Sequence, residues 1–188
     1  MDLNLETKLF EAARAMQEGK IVAYPTEAVY GLGCDPFNMD AVTRLLQLKH
    51  RGIRKGFILL TDSWDRVKHL VEPIAPNLLA HIHGTWPGPV SWAFPATDEV
   101  PMWIKGAHRS VVIRVTNHPI ARALCQTYGG PIVSTSANLH GFPPARDERT
   151  VSMTFGNELA TIVPGKVGDL SRPTEIRDAV TGEVLRES

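Results

Sequence analysis

The sequence predicts an α/β fold with helices packed on a mixed sheet. Two observations carry this. Short apolar runs bounded by proline or glycine alternate with segments of helical period through the first two thirds of the chain. A hairpin pattern then closes it, and strands followed by a hairpin argue for a mixed sheet over a purely parallel one.

The elements follow in order. A first helix is expected from about Glu6 to Gln17, with Leu5, Leu9, Phe10, Ala13 and Met16 on one face and Gly19 ending it. Ile21 to Tyr24 reads as a strand stopped by Pro25, and a glycine-containing loop follows. Asn38 caps a second helix whose buried stripe is Ala41, Val42, Leu45 and Leu46. Phe57 to Leu60 is a buried strand. Two short helices are expected near Trp64 to Val71 and Pro76 to His83. Trp86-Pro87-Gly88-Pro89 forms a rigid turn, since two prolines fix φ. Val90 to Phe94 and Val111 to Val115 are strands. Asn117 caps a helix that runs from His118-Pro119 to near Tyr128-Gly129. Pro131 to Ser134 is a strand, Glu148 to Phe155 a short helix, and Glu175 to Arg186 a hairpin turning at Thr181-Gly182.

Bulk properties narrow the function classes. The 188 residues favour one domain, residues 1–188, large enough for a core without staples. No apolar run approaches the roughly 20 residues of a membrane helix. Met1 to Phe10 carries Asp2 and Glu6 and lacks the basic start of a secretory signal, so a cytoplasmic location is expected. Cys34 and Cys125 form no CxxC pair, which removes zinc and thioredoxin-type readings. Twenty basic residues balance twenty acidic ones, so net charge gives no case for a dedicated nucleic-acid binder. An anion site must come from local clustering.

Four segments have the composition for chemistry. Tyr24 to Gly33 ends a strand at a proline and continues with Thr26 and two glycines, a loop that can bring N–H groups and a hydroxyl to a ligand. Lys49 to Lys55 holds four Lys/Arg and one His in seven residues. A helix C-terminus accounts for one or two such cations. The remainder suit a triphosphate, gripped by arginine forks and lysine point charges, or a solvated basic turn. Along Ser110 to Val115, Ser110, Val112 and Arg114 share one strand face. An arginine ending an apolar strand needs an anion, either a ligand carboxylate or an internal Asp or Glu. Ser134-Thr135-Ser136-Ala137-Asn138 follows a buried strand, where open α/β sheets bind ligands. No G-x-S-x-G elbow surrounds these serines, which argues against a serine hydrolase. No H-E-x-x-H, P-loop or G-x-G-x-x-G run is present, and no metal site is expected.

Together and in this order these segments resemble the YrdC-like (TsaC) family of threonylcarbamoyl-AMP synthases. The resemblance rests on Tyr24 to Gly33, the Lys-x-Arg pair Lys49 and Arg51, Trp-Pro-Gly-Pro at 86–89, Val-Ile-Arg-Val at 112–115, and Ser-Thr-Ser-Ala-Asn at 134–138. It covers nearly the whole chain, and the tail at 175–183 looks like the short bacterial form without an added C-terminal domain. Two positions depart from the pattern: Gly52 stands where many relatives have proline, and Ala28 where many have threonine.

The resemblance implies a twisted open YrdC-like, DHBP-synthase-like sheet with a concave, positively charged face. It implies the formation of L-threonylcarbamoyladenylate and pyrophosphate from L-threonine, bicarbonate and ATP, with Mg²⁺ accompanying ATP. A transferase complex of the TsaB, TsaD and TsaE type then acts on tRNA. On this footing Lys49, Arg51 and Lys55 face the triphosphate, with Lys49 and Arg51 catalytic. Ser110, Ser136, Asn138 and Arg146 complete the ATP site, and Thr26, Arg114 and Ser134 hold threonine. The alternative is a non-catalytic RNA-binding or ribosome-maturation factor. Some relatives are described as RNA-binding, and direct RNA binding is compatible with the basic segment.

Overall fold

The computed structural model describes residues 3–187. The chain runs α1 (Leu3–Gln17), β1 (Val22–Pro25), β2 (Tyr30–Gly33), α2 (Met39–Leu48), β3 (Ile58–Thr61), α3 (Pro76–His83) and β4 (Ser91–Pro95). It continues through α4 (Met102–Lys105), β5 (Ser110–Val115), α5 (Pro119–Tyr128), β6 (Ile132–Ser136) and α6 (Glu148–Phe155). Three short strands close it: β7 (Thr161–Ile162), β8 (Ile176–Asp178) and β9 (Val184–Arg186). The strands form one open mixed sheet in the order β7-β1-β2-β6-β3-β5-β4-β8-β9. β3 pairs with β5 in parallel and with β6 antiparallel, so the middle of the sheet mixes both senses. The expected mixed α/β fold is therefore observed.

The sheet is covered unequally. On one face, α2 and the aromatic segment after β3 bury Leu32, Leu59, Trp92, Phe94, Ile113 and Val133. On the other, α1 and α5 cover Val22, Tyr24, Leu60 and Ile132. Side chains alternate along a strand, so Ile58 and Ser134, each two residues from a helix-covered position, lie on that same second face. The two helices stop short of them. Half of one sheet face is thus left open, and this half carries the polar strand residues.

Several local expectations need correction. The segment after Pro25 is a loop only over residues 26–29: Tyr30–Gly33 is β2, paired with β1 from Val22↔Gly33 to Pro25↔Tyr30. Gly33 allows the close approach, since a Cβ there would lie 2.8 Å from the Tyr24 ring. Phe10 is not on the buried face of α1; it is 67% exposed, and Ala12 and Ala15 take the inner positions. His118, not Asn117, caps α5, because its ring accepts from the Ala121 N–H. The helix expected near Trp64 to Val71 is two single turns of 3₁₀ helix. By contrast, Asn38 caps α2 through its side chain, and the C-terminal hairpin forms as expected.

Candidate active site

The open half of the sheet face forms a hollow of about 370 Å³. β5 lays Ser110, Val112 and Arg114 along its floor, as strand alternation requires. β6 adds Ser134 and Ser136, and the β1–β2 turn adds Thr26. Arg51 and Lys55 enter from the basic turn after α2. Seven of the ten residues singled out from sequence therefore line one hollow.

The other three lie outside the lining. Lys49 is buried, and its ammonium donates to the Ser136 carbonyl at 2.5 Å and to the Asn138 carbonyl at 2.8 Å. Its third contact is Asn138 Oδ1 at 3.4 Å. An ammonium has three donors, and all three are spent on this loop. Asn138 is committed likewise: Oδ1 accepts from Ser136 Oγ at 2.6 Å, and its amide donates to the Leu139 and Phe142 carbonyls. Lys49 and Asn138 thus shape the loop that presents Ser136 to the hollow. Arg146 is exposed and donates to the Leu170 carbonyl at 3.0 Å.

Arg114 has the anionic partner that its strand position demands. Glu27 Oε2 lies 3.2 Å from its guanidinium, and both side chains are buried. The second Glu27 oxygen accepts from the Thr116 hydroxyl at 2.6 Å. Arg114 also donates to Thr174 Oγ1 at 2.6 Å, while its Nε is buried without a partner. The internal carboxylate does not withdraw the arginine from the hollow. It fixes the guanidinium at the wall and leaves donor capacity over.

At the opposite end, the Arg51 guanidinium lies 5.3 Å from the centre of the Phe57 ring and donates to the Gly56 carbonyl at 2.9 Å. The face of an aromatic ring attracts an arginine cation and helps to place it without a counter-ion. Burial, followed by the nearby Arg51 charge, pushes the Lys49 ammonium down to about 8.

Sequence reasoning missed four polar lining residues that matter. Thr174 and Arg186 come from the C-terminal hairpin, where Arg186 donates to the Thr174 carbonyl at 2.6 Å. Lys105 and His108 come from α4 and the turn behind it. Pairing of β4 with β8 brings the hairpin to the hollow, and no local pattern announces that pairing. Among the described residues, no Asp or Glu lines the hollow, and no cluster of three or more His, Cys, Asp or Glu could hold a metal. The wall is a cationic, hydroxyl-rich surface suited to anions.

Residues 14–188 match the family model for Sua5, YciO and YrdC, described as telomere recombination. The threonylcarbamoyl-AMP synthase of Coxiella burnetii (strain RSA 493 / Nine Mile phase I) is 53% identical over 176 residues, which are 94% of this chain and 95% of that protein. This chain belongs to the Sua5/YciO/YrdC family. A second family member, the threonylcarbamoyl-AMP synthase of Cellvibrio japonicus (strain Ueda107), is 44% identical over 188 residues, the full length of both chains. Among Sua5 structures, that of P. abyssi Sua5 complexed with L-threonine matches with a TM-score of 0.86 and 31% identity over 92% of this chain. This chain spans about half, 51%, of that Sua5. The family resemblance drawn from the five motifs is thereby established. No helix among the described residues is long and apolar enough to cross a membrane.

Proposed function

We propose that the chain is a threonylcarbamoyl-AMP synthase, which joins L-threonine, bicarbonate and ATP into L-threonylcarbamoyladenylate with release of pyrophosphate. One observation carries the reading: a single hollow gathers Arg51, Lys55, Arg114 and Arg186 around the hydroxyls of Thr26, Ser134 and Ser136, with no Asp or Glu in its lining among the described residues. The names of the relatives agree with it.

The chemistry asks for such a surface. The unprotonated amine of threonine combines with bicarbonate, with loss of water, to give a carbamate. A carbamate oxygen then bonds to the α-phosphorus of ATP, and the bond from that phosphorus to the pyrophosphate oxygen breaks. Both reactants are anions, so they repel in water. Fixed cations offset that repulsion and hold the partners in line. The carbamate oxygen is already a nucleophile, so no covalent enzyme intermediate is required. Cys34 and Cys125 are buried outside the hollow, and burial raises both thiols.

Roles follow from position. Arg114, held by Glu27, takes the threonine carboxylate, with Thr26, Ser134 and Thr174 beside it. Arg51, Lys55, Ser110 and Ser136 take the nucleotide. Lys49 and Asn138 act through the loop that they brace. Mg²⁺ arrives with ATP as part of the substrate, since among the described residues the lining offers it no Asp or Glu. The adenylate is a reactive mixed anhydride. A transferase complex of the TsaB, TsaD and TsaE type consumes it on tRNA in the cytoplasm, and the chain acts as one domain.

Incubation with ATP, Mg²⁺, threonine and ¹³C-bicarbonate tests the reading. The expected product is a threonylcarbamoyladenylate one mass unit heavier than that from unlabelled bicarbonate. An adenylate without the label would refute the reaction.

A further inference from the structure

Two turns interlock at the basic end of the hollow. The Phe57 N–H donates to the Ile104 carbonyl at 2.8 Å, and the Ala107 N–H donates to the Arg54 carbonyl at 3.0 Å. Gly56 and Gly106 meet there with φ of 61° and 65°. A Cβ on Gly106 would lie 2.6 Å from the Arg54 carbonyl oxygen and the Gly56 nitrogen. One on Gly56 would lie 2.9 Å from the Ile104 and Lys105 carbonyl oxygens. Only glycine fits both conditions at once, positive φ and backbone contact. The contact locks the turn carrying Arg51 and Lys55 to the one carrying Lys105 and His108.

The lock brings two lysines and a histidine together without anions. Lys55, Lys105 and His108 all line the hollow, and the lining of the described residues has no Asp or Glu. None of the three side chains has a hydrogen-bond or ion-pair partner among the described residues. Two ammonium groups and an imidazole donor held together at a cavity wall, with no internal counter-ion, are arranged for an anionic ligand.

Their place along the hollow identifies the ligand. Ser110 and Arg114 are four residues apart on β5, about 13 Å at the rise of a strand. Arg114 marks the threonine end. Lys105 and His108 precede Ser110, so they lie beyond the opposite end. A nucleotide whose α-phosphorus meets the carbamate near Ser136 has its remaining phosphates free to extend that way.

The geometry points to Lys105 and His108 as further ligands of the β- and γ-phosphates of ATP, and of pyrophosphate as it leaves. This inference rests on the synthase reading. It assigns the triphosphate a second grip, from the α4 turn, in addition to the basic turn after α2.

Calorimetric titration with inorganic pyrophosphate and, separately, with AMP tests it on the intact chain. For the Lys105→Ala/His108→Ala double variant, pyrophosphate affinity should fall about tenfold or more, the scale of losing charge-assisted contacts. AMP affinity and the KM for threonine should change less than about twofold, because neither ligand carries the outer phosphates. Lys105→Arg should retain most of the pyrophosphate affinity, since the charge is kept. Unchanged pyrophosphate affinity in the double variant, with normal threonine-dependent turnover of the unaltered protein, overturns this inference alone. An equal loss for AMP and pyrophosphate overturns it too, by placing the pair elsewhere on the nucleotide. Failure of the unaltered protein both to bind pyrophosphate and to release it from ATP would overturn the synthase reading as well.

Discussion

Glu27 Oε2 sits 3.2 Å from the Arg114 guanidinium, with both side chains buried, so this arginine at the wall of the hollow is held by a carboxylate from the neighbouring turn. The pair is separated by 87 residues in sequence and is joined only by the sheet. Its consequence is a charge fixed at the wall before substrate arrives. Removing either partner should therefore have different effects. Glu27→Ala leaves a buried arginine without its carboxylate and should cost about 3–5 kcal/mol of stability, read by chemical denaturation. A loss under about 1 kcal/mol would show that the pair is not effectively desolvated.

Arg114→Ala should act on substrate. With the carboxylate contact gone, KM for threonine should rise about tenfold or more, as for loss of a hydrogen bond to a charged group. KM for ATP should stay within about twofold. Arg114→Lys should not restore affinity, because the compact ammonium lacks the planar fork that spans Glu27, Thr174 and a ligand. Steady-state kinetics with each substrate varied in turn would read this, and an unchanged threonine KM would remove Arg114 from that subsite.

The Arg51 guanidinium sits over the Phe57 ring and lines the hollow. Arg51→Ala should lower kcat about 10²-fold, the scale for one preorganised charge contact at a developing anion. Phe57→Leu should produce a smaller drop in the same direction, since it removes the stacking and keeps the charge. Single-turnover pyrophosphate release distinguishes the two; a larger effect from Phe57→Leu than from Arg51→Ala would reverse the argument.

On the proposed reading Lys49 acts through its loop, and its proton gives a pH signature. Its folded-state value of about 8 lies below the ordinary lysine value of 10.5. Between these limits the unfolded chain binds the extra proton, so this group's contribution to stability rises with pH through that window. Turnover should run the other way. Above about pH 8 the ammonium loses a donor to the Ser136 and Asn138 carbonyls, and the loop loosens. kcat should fall on the alkaline side with a midpoint near 8. Lys49→Met should abolish that limb along with most of the activity. An alkaline limb that survives in Lys49→Met would assign it to another group.

Much of this molecule was legible in the sequence, and the rest fails for identifiable reasons. Asn38, with the stripe from Ala41 to Leu46, announced α2, since capping and period are local signals. The alternation of Ser110, Val112 and Arg114 placed three side chains on one floor without any knowledge of the sheet. The β2 strand was hidden because Tyr30-Gly31-Leu32-Gly33 has the glycine content of a loop; its glycines serve contact with Tyr24. The charge of Lys49 is visible in sequence, whereas the turn of its ammonium toward the Ser136 and Asn138 carbonyls is not. Lys105, His108, Thr174 and Arg186 reach the hollow only through pairings between distant segments, which leave no local trace.

The central claim is that one hollow condenses two anions at phosphorus. Pyrophosphate release from ATP and Mg²⁺, with threonine and bicarbonate each withdrawn in turn, tests it most directly. Release is expected with both present, and near-background release when either is missing. Release that persists undiminished without threonine would contradict it, because ATP would then be cleaved without the second anion.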